Sequence, residues 1–258
     1  MKNSFFLFLT LLSLSLNLLY AQKEKEILRI ENLIPEAKNK VYKEEIIKHT
    51  YYMLSYNEEH EQPSWVVYLL TKEMVGNVNA KRKDRFREDK MVSTYSAHPS
   101  DYTKSGYDRG HICPSADMLF SQQAQDETFF MSNMSPQKHS FNGGKWKTLE
   151  EKQRLWAIQN DSILIIAGPI FDSIIGKIGK NQVSVPYRFF KIIIDISYPT
   201  YKAIGFIMEN RKLEEDIFYY SMPISEIEKE TLLNFFPKFD NNKFINLLEK
   251  TLERKKWE

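Results

Sequence analysis

The chain contains a single cysteine, only nine glycines and no marked excess of charge of either sign. One cysteine, Cys113, excludes an internal disulfide, so packing must stabilise the fold. Lysine and arginine together number 36 against 34 for aspartate and glutamate, and the formal net charge is +2, which excludes a polycation. Any attraction for a polyanion must therefore come from a local basic surface, because the global charge supplies little steering.

Long apolar runs are also absent, except at the N terminus. Lys2 is the only charged residue before Lys23, and the residues between them are mostly apolar. A basic tip, an apolar stretch and a small residue at its end predict a secretory signal peptide over residues 1–21, cleaved after Ala21. An uncleaved membrane anchor is the alternative, but the run is somewhat short for a spanning helix and lacks a basic stop-transfer flank. We expect a secreted or periplasmic protein without stable membrane association after cleavage.

Internal repeats, low-complexity tracts and Pro/Gly/Ser-rich linkers are absent as well, which predicts one domain. Residues 22–63 mix charged residues with scattered apolar ones, and we expect them to form an N-terminal arm. Residues 64–258 are expected to form the domain, which is long enough for a substantial core.

The apolar patterns predict more strands than helices. Segments rich in β-branched and aromatic residues predict strands at 65–70, 128–132 (ended by Pro136), 163–167, 189–196 and 203–208. Apolar spacing predicts a helix over 146–158, and Ser225 with Glu228 fits a capping box that opens a helix to about Phe235. The basic stretch 77–90 is expected to be a loop. Strands outnumber helices and the helices fall late, so the expected class is α+β with a central antiparallel sheet.

The stretch from Tyr107 to Arg154 contains a candidate for each task in the hydrolysis of a phosphodiester. Such hydrolysis needs a base that deprotonates water, positive charge that neutralises the phosphate, and stabilisation of the leaving oxygen. His111 suits the first task, because the unperturbed pKa of histidine, about 6.5, lies near the working pH. Asn142 offers an amide oxygen to Mg²⁺, and Arg154 offers a planar fork that matches phosphate oxygens.

Simpler interpretations of the same residues stay open. Glu150 and Arg154 share a helix face at i and i+4, which an ordinary surface salt bridge explains as well. Cys113 is expected to be a small buried residue, because a nucleophilic thiol needs a base that stabilises its thiolate. The other histidines are expected to be surface or core residues, although the last of them could approach a substrate: His49, His60, His98 and His139.

The candidate residues belong to an ordered series of motifs. The series is Asp108-Arg109-Gly110-His111, Ser132-Asn133-Met134-Ser135-Pro136-Gln137, Asn142, Trp146, Leu149-Glu150 and Arg154. With this spacing the chain resembles the DNA/RNA non-specific endonuclease family, ββα-metal nucleases that include endonuclease G and secreted bacterial enzymes. The resemblance covers about residues 64–239 and implies a ββα-metal (His-Me finger) catalytic motif within the α+β fold.

Carried over position by position, the resemblance implies a role for each motif residue. His111 is the expected general base, and Asn142 is the expected sole direct protein ligand of Mg²⁺, for which Mn²⁺ can substitute because both accept oxygen ligands. Glu150 is expected to hold water molecules of the metal. Arg154 is expected to neutralise phosphate charge, and Arg109 to position the site or the phosphate.

The resemblance also implies a catalytic, phosphate-binding arginine upstream, where Arg82 is the best match and Arg85 the competitor. Three positions depart from the family pattern. Cys113 stands where many relatives have a small apolar residue, Met118 where they often carry a basic one, and Leu232 where glycine is common.

The expected function is a secreted, Mg²⁺-dependent endonuclease that acts on DNA and RNA with little sequence specificity. No zinc-finger spacing or recognition-helix motif is present to read base edges. A basic loop offers an edge that could follow phosphates, although its intervening acidic residues fit a plain solvated loop equally well: Lys81, Arg82, Lys83, Arg85, Arg87 and Lys90. The alternatives are a nucleic-acid-binding module on an inactive scaffold and a metal phosphodiesterase with a non-nucleic substrate. The oligomeric state, a homodimer included, stays open.

Overall fold

The computed structural model describes residues 32–38, 44–197, 201–239 and 241–258. The expected signal peptide, residues 1–21, lies outside the described residues. Within the described part of the chain, no helix is both long and apolar enough to cross a membrane.

A seven-stranded antiparallel sheet forms the centre of the fold. The strands of the described residues are β1 (Glu36–Ala37), β2 (Glu44–Lys48), β3 (Tyr52–Asn57), β4 (Gln62–Thr71), β5 (Asp108–His111), β6 (Met134–Gln137), β7 (Ser162–Ile178), β8 (Val183–Asp195), β9 (Lys202–Glu209), β10 (Ser221–Met222) and β11 (Leu233–Asn234). The central order is β10-β9-β8-β7-β4-β3-β2, and β5 pairs with β6, as β1 does with β11, outside this sheet.

Helices cover both faces of the sheet. They are α1 (Lys72–Gly76), α2 (Gln122–Glu127), α3 (His139–Phe141), α4 (Lys147–Gln159), α5 (Ile224–Thr231) and α6 (Lys243–Lys250), with a π-helical turn (Asn142–Trp146) between α3 and α4. Short 3₁₀ turns lie at Pro99–Tyr102, Ser115–Met118, Met131–Asn133, Ile217–Tyr220, Pro237–Phe239 and Arg254–Lys256. The expected α+β class with a central antiparallel sheet is confirmed.

An apolar core lies against each face of the sheet. Phe189 and Phe190 are neighbours on β8, so they point to opposite faces, and they belong to different cores. Helix α4 packs on the first face through Trp156. Helices α5 and α6 pack on the second face through Ile227 and Leu248.

Residues 44–57, inside the segment expected to be an N-terminal arm, form β2 and β3 of the central sheet. Tyr52, Leu54 and Tyr56 are buried, and their period of two fits a strand. The sheet therefore begins before Ser64. Charged residues around this short pattern conceal it in the sequence.

The strand expected at 128–132 is wrong. A 3₁₀ turn occupies Met131–Asn133, and β6 follows with Pro136 inside it. Pro136 pairs with Arg109 in a two-stranded ladder. Each strand of such a ladder has a free edge, where the missing N–H of proline costs no ladder hydrogen bond.

The other predicted elements exist, with altered ends. The expected helix 146–158 is α4, and the strand expected at 163–167 continues through Gly168 and Pro169 as β7. The expected capping box at Ser225 is absent, because α5 begins after Pro223. This helix also ends early, at Leu232, whose φ of 56° is left-handed.

Candidate active site

Strands β5 and β6 pair antiparallel and α4 follows them, so the three elements form a ββα unit. Gly110 faces Ser135 in the ladder, and the side chain of Gln137 lies against it. A Cβ atom at position 110 would overlap the carboxamide of Gln137, which is fully buried. The glycine of the Asp-Arg-Gly-His motif is therefore required by this close approach.

His111 packs against two phenylalanine rings that also contact each other. Its ring centroid lies 4.9 Å from that of Phe129, edge-on, and 5.7 Å from that of Phe86. The Nε2 atom is buried and has no hydrogen-bond partner among the described residues. Burial, helped by the positive charge of Arg82, lowers the pKa of His111 to about 3. The ring is therefore neutral at neutral pH, the form that can accept a proton from water.

Arg82 lies close enough to His111 for its charge to act on the ring. The guanidinium carbon of Arg82 is 5.4 Å from the centroid of Phe129, the ring that also contacts His111. Its Nε atom donates to Asp84 at 2.7 Å. The described contacts of Arg85 are made by its backbone to chain neighbours. This placement favours Arg82 as the upstream arginine.

Arg109 is half-buried on the same side as His111. Its guanidinium carbon lies 5.0 Å from the centroid of Phe86, and Nη2 donates to the carbonyl oxygen of Pro99 at 2.9 Å. Its Nε atom is buried without a hydrogen-bond partner among the described residues. The carbonyl carries no net charge, so this hydrogen bond does not compensate the guanidinium.

Asn142 begins the π-helical turn, and Asp108 orients its amide. The Nδ2 atom donates to Asp108 Oδ2 at 3.0 Å, and the same oxygen lies 2.9 Å from Nδ1 of His139. An ionised carboxylate only accepts hydrogen bonds, so this contact assigns which end of the amide faces Asp108. The Oδ1 atom of Asn142 is thereby left for another ligand.

Glu150 lies on α4, where burial dominates its titration. Burial raises the pKa of the carboxyl to about 7, while the ammonium of Lys191 opposes the rise. The carboxyl therefore stands close to its titration point at neutral pH.

Arg154 forms its ion pair with a residue outside the predicted set. Its Nη1 donates to Asp117 Oδ1 at 2.8 Å, and Asp117 is buried. The second carboxylate oxygen accepts from Tyr68 Oη at 2.9 Å and from Gln153 Nε2 at 2.5 Å. The alternative interpretation, a surface salt bridge with Glu150, is therefore replaced by a buried network that anchors the guanidinium.

Lys191 completes this network from the central sheet. It is fully buried on β8, donates to Gln153 Oε1 at 2.9 Å and lies 4.4 Å from the ring centroid of Trp146. A buried ammonium needs nearby negative charge, which Asp117 and Glu150 supply. In the sequence, Lys191 is a lone lysine among the apolar residues of a strand, and this pattern alone does not indicate its partners.

The burial and contacts of the other histidines, and of the three residues that depart from the family pattern, follow from their places in the fold. His49 and His60 are buried and His98 caps a 3₁₀ turn, as expected, whereas the exposed His139 contacts Asp108. Cys113 and Met118 are buried, and burial raises the pKa of the Cys113 thiol well above its ordinary value. Leu232 has a left-handed backbone, which favours glycine, so nothing in the structure explains leucine at this position.

The oxygen donors of the ββα unit fit a hard cation. Nowhere in the described ranges do three or more His, Cys, Asp or Glu side chains gather to hold a metal ion. Zinc sites use three or four such ligands, whereas Mg²⁺ binds through few protein oxygens and keeps several waters. The free amide oxygen of Asn142 and the carboxyl of Glu150 are oxygen donors of the kind that such a cation prefers.

Comparison with known proteins agrees with this geometry. The family model for DNA/RNA non-specific endonucleases matches residues 32–242. A nuclease of Syncephalastrum racemosum is 32% identical over an alignment of 258 residues, which covers 91% of this chain and 78% of that protein. Human mitochondrial endonuclease G is 34% identical over 200 residues, covering 72% of this chain and 67% of that protein.

One further relative and one solved structure show how much of the chain is similar to known proteins. Mitochondrial nuclease EXOG of Danio rerio is 32% identical over 216 residues, or 77% of this chain, and the chain spans 63% of its length. A crystal structure of the EndoG/EndoGI complex matches with a TM-score of 0.70 at 31% identity, covering 74% of this chain and 85% of that chain. The expected nuclease class is thus confirmed at the level of the family. The chain belongs to the DNA/RNA non-specific endonuclease family.

Proposed function

We propose that the chain is a secreted, Mg²⁺-dependent endonuclease that hydrolyses the phosphodiester bonds of DNA and RNA with little sequence specificity. The observation that carries the proposal is the set of groups on one ββα unit. A neutral His111, an amide oxygen of Asn142 that Asp108 leaves free, and the carboxyl of Glu150 supply a base and oxygen donors.

The residues divide the reaction between them. His111 accepts a proton from water, the water oxygen attacks phosphorus, and the bond from phosphorus to the leaving oxygen breaks. Asn142 and Glu150 would hold Mg²⁺, which would supply positive charge to offset the charge on the phosphate and on the leaving oxygen. Arg82 and Arg109 donate N–H groups to phosphate oxygens, for which the guanidinium geometry is suited.

Low sequence specificity follows from the kind of contact that the site offers. Arg82, Arg109 and Arg154 suit phosphate oxygens, which are the same at every nucleotide and carry no sequence information. Phosphate contacts release counterions, so affinity for nucleic acid is expected to fall steeply with salt. An affinity that is equal at low and high salt would contradict phosphate-led binding.

Secretion rests on the pattern of residues 1–21 and is tested separately. When the full chain is expressed in a bacterium, mass spectrometry of the exported protein should find Gln22 as its first residue. A protein that keeps residues 1–21 and sediments with membranes would support the anchor instead.

Digestion of plasmid DNA and of total RNA tests the activity. The mature chain, residues 22–258, is expected to degrade both with Mg²⁺ or Mn²⁺ and neither with EDTA, and His111→Ala is expected to be inactive while still folded. Arg82→Ala and Arg85→Ala form a matched pair, of which only Arg82→Ala should lose activity.

Each other outcome of the digestion has a definite meaning. A wild-type chain that binds DNA without cutting it is a binding module on an inactive scaffold. A chain that neither binds nor cuts nucleic acid acts on another phosphodiester.

A further inference from the structure

Arg109 owes its position to a backbone carbonyl. Its Nη2 atom donates to the oxygen of Pro99 at 2.9 Å, and the guanidinium lies over the ring of Phe86. Neither contact neutralises the guanidinium charge. Where Arg109 presents that charge therefore depends on where the loop that contains Pro99 is held.

A buried carboxylate holds this loop. Asp101 lies in the 3₁₀ turn that Pro99 begins, and it is only 3% exposed. Its oxygens accept from the backbone N–H of His98 at 2.8 Å, from Asn181 Nδ2 at 2.9 Å and from the backbone N–H of Asn181 at 3.2 Å. Two of these three donors come from the turn between β7 and β8, about eighty positions away in the sequence.

The tip of the β7–β8 hairpin approaches Asp101 as closely as glycine permits. Gly179 has φ of +68°, and a Cβ atom there would overlap both the backbone and the side chain of Asp101. Ile178 and Val183, on either side of the turn, pack in one small apolar core with Tyr102. The hairpin tip and the Pro99–Tyr102 turn are therefore one packed unit.

We propose that the tip of the β7–β8 hairpin, acting through Asp101 and the Pro99 carbonyl, positions Arg109 for contact with a substrate phosphate. Asp101 and Gly179 are positioning residues in this chain of contacts, and neither touches the substrate. The inference rests on the proposed function, because the contact it serves is with nucleic acid.

A matched pair of glycine variants tests the inference. Gly179→Ala forces the hairpin tip away from Asp101, whereas Gly176→Ala lies on the same hairpin, where an added Cβ meets nothing within 4 Å. Affinity for a duplex oligonucleotide is measured by fluorescence anisotropy in EDTA over a range of salt, with the mature chain. Asn181→Ala, which removes one donor to Asp101, is the milder variant if Gly179→Ala fails to fold by circular dichroism.

Gly179→Ala should weaken binding by about tenfold, as expected for a misplaced charge-assisted contact. The slope of log affinity against log salt should fall by about 0.9, the value for one lost phosphate contact. Asn181→Ala should shift both quantities less and in the same direction, and Gly176→Ala should match the wild type. A loss of stability alone leaves the salt slope of the folded protein unchanged.

A double-mutant cycle with Arg109→Ala decides whether the effect passes through Arg109. In the Arg109→Ala background, Gly179→Ala or Asn181→Ala should weaken binding no further. Additive losses would overturn the inference, as would a folded Gly179→Ala protein that binds like Gly176→Ala. A wild-type chain that neither binds nor cuts nucleic acid refutes the proposed function instead, so the two failures are distinct.

Discussion

Removal of the buried ammonium of Lys191 should cost more stability as the pH rises. Lys191 is fully buried, and its charge is the largest opposing influence on Glu150, whose pKa burial raises to about 7. Lys191→Met keeps much of the side chain's length and apolar volume but removes this charge. The pKa of Glu150 should then rise further above its ordinary value of 4.5.

The sign follows from the direction of each shift. A carboxyl whose pKa is raised by folding holds its proton longer in the native state, so stability falls as the pH rises from the unfolded pKa to the folded one. In the wild type this fall ends near pH 7, where Glu150 titrates, but in Lys191→Met it continues. The lowered pKa of Lys191 makes wild-type stability rise with pH, and Lys191→Met lacks this rise. Both groups therefore widen the difference between the two proteins as the pH rises. Above pH 7 the difference in unfolding free energy should therefore grow by up to about 1.4 kcal/mol per pH unit for each of the two groups.

Urea unfolding in EDTA, followed by tryptophan fluorescence from about pH 6 to about pH 9, measures this difference. Lys147→Met is the control. Lys147 is exposed on α4, the helix that carries Glu150, and its Nζ atom lies 3.9 Å from a carboxylate oxygen of Glu151. The control should stay within about 0.5 kcal/mol of the wild type at every pH. If the difference between Lys191→Met and the wild type stays constant over this range, the electrostatic link between Lys191 and Glu150 is refuted.

Three other predictions concern stability. The folded pKa of His111 is about 3 against an ordinary 6.5, so the unfolding free energy of the wild type relative to His111→Asn should fall below pH 6.5 by about 1.4 kcal/mol per pH unit until pH 3. Urea unfolding of the two proteins at acid pH measures this difference, and equal acid sensitivity would contradict the burial. Gly110→Ala overlaps Gln137 and should cost about 1–3 kcal/mol, measured beside the unhindered Gly176→Ala; a loss no greater than the control's would contradict it. Leu232 has φ of 56°, so Leu232→Gly should be about 1 kcal/mol more stable than Leu232→Ala by thermal unfolding. Inside a helix alanine is the more stable of the two. A more stable Leu232→Ala protein would show that position 232 does not keep the left-handed conformation.

The elements that could be predicted from the sequence are those whose apolar residues follow the spacing of a strand or a helix. The apolar strand at 65–70 and the helix at 146–158, whose apolar residues are spaced along a polar segment, both exist as β4 and α4. The segment 128–132 is equally aromatic but does not form a strand. Its neighbour Pro136 fits into β6 because that ladder has only two strands, and the number of strands in a ladder is a property of the tertiary fold.

Candidate residues of the site could be identified from the sequence, whereas their partners could not. Arg154 was predicted by its place in the motif series, but its partner Asp117 is 37 positions away. Lys191 is equally far from Arg154 on its other side in the sequence and comes from the central sheet. Helical spacing shows which residues share a face, but only the folded core decides which distant charges compensate a buried one.

The environment of His111 shows why neighbours that the sequence does not reveal matter for the chemistry. An ordinary histidine pKa near neutrality was the reason to choose it as a base, yet burial and the charge of Arg82 lower its pKa to about 3. A base with so low a pKa is weak while the site holds no anion. A phosphate that binds beside Arg82 brings negative charge near the ring, and this charge raises the pKa of the imidazole. In the proposed reaction His111 is therefore a stronger base when the substrate is bound, and the arginine that weakens it in the free protein also attracts the phosphate that restores its strength.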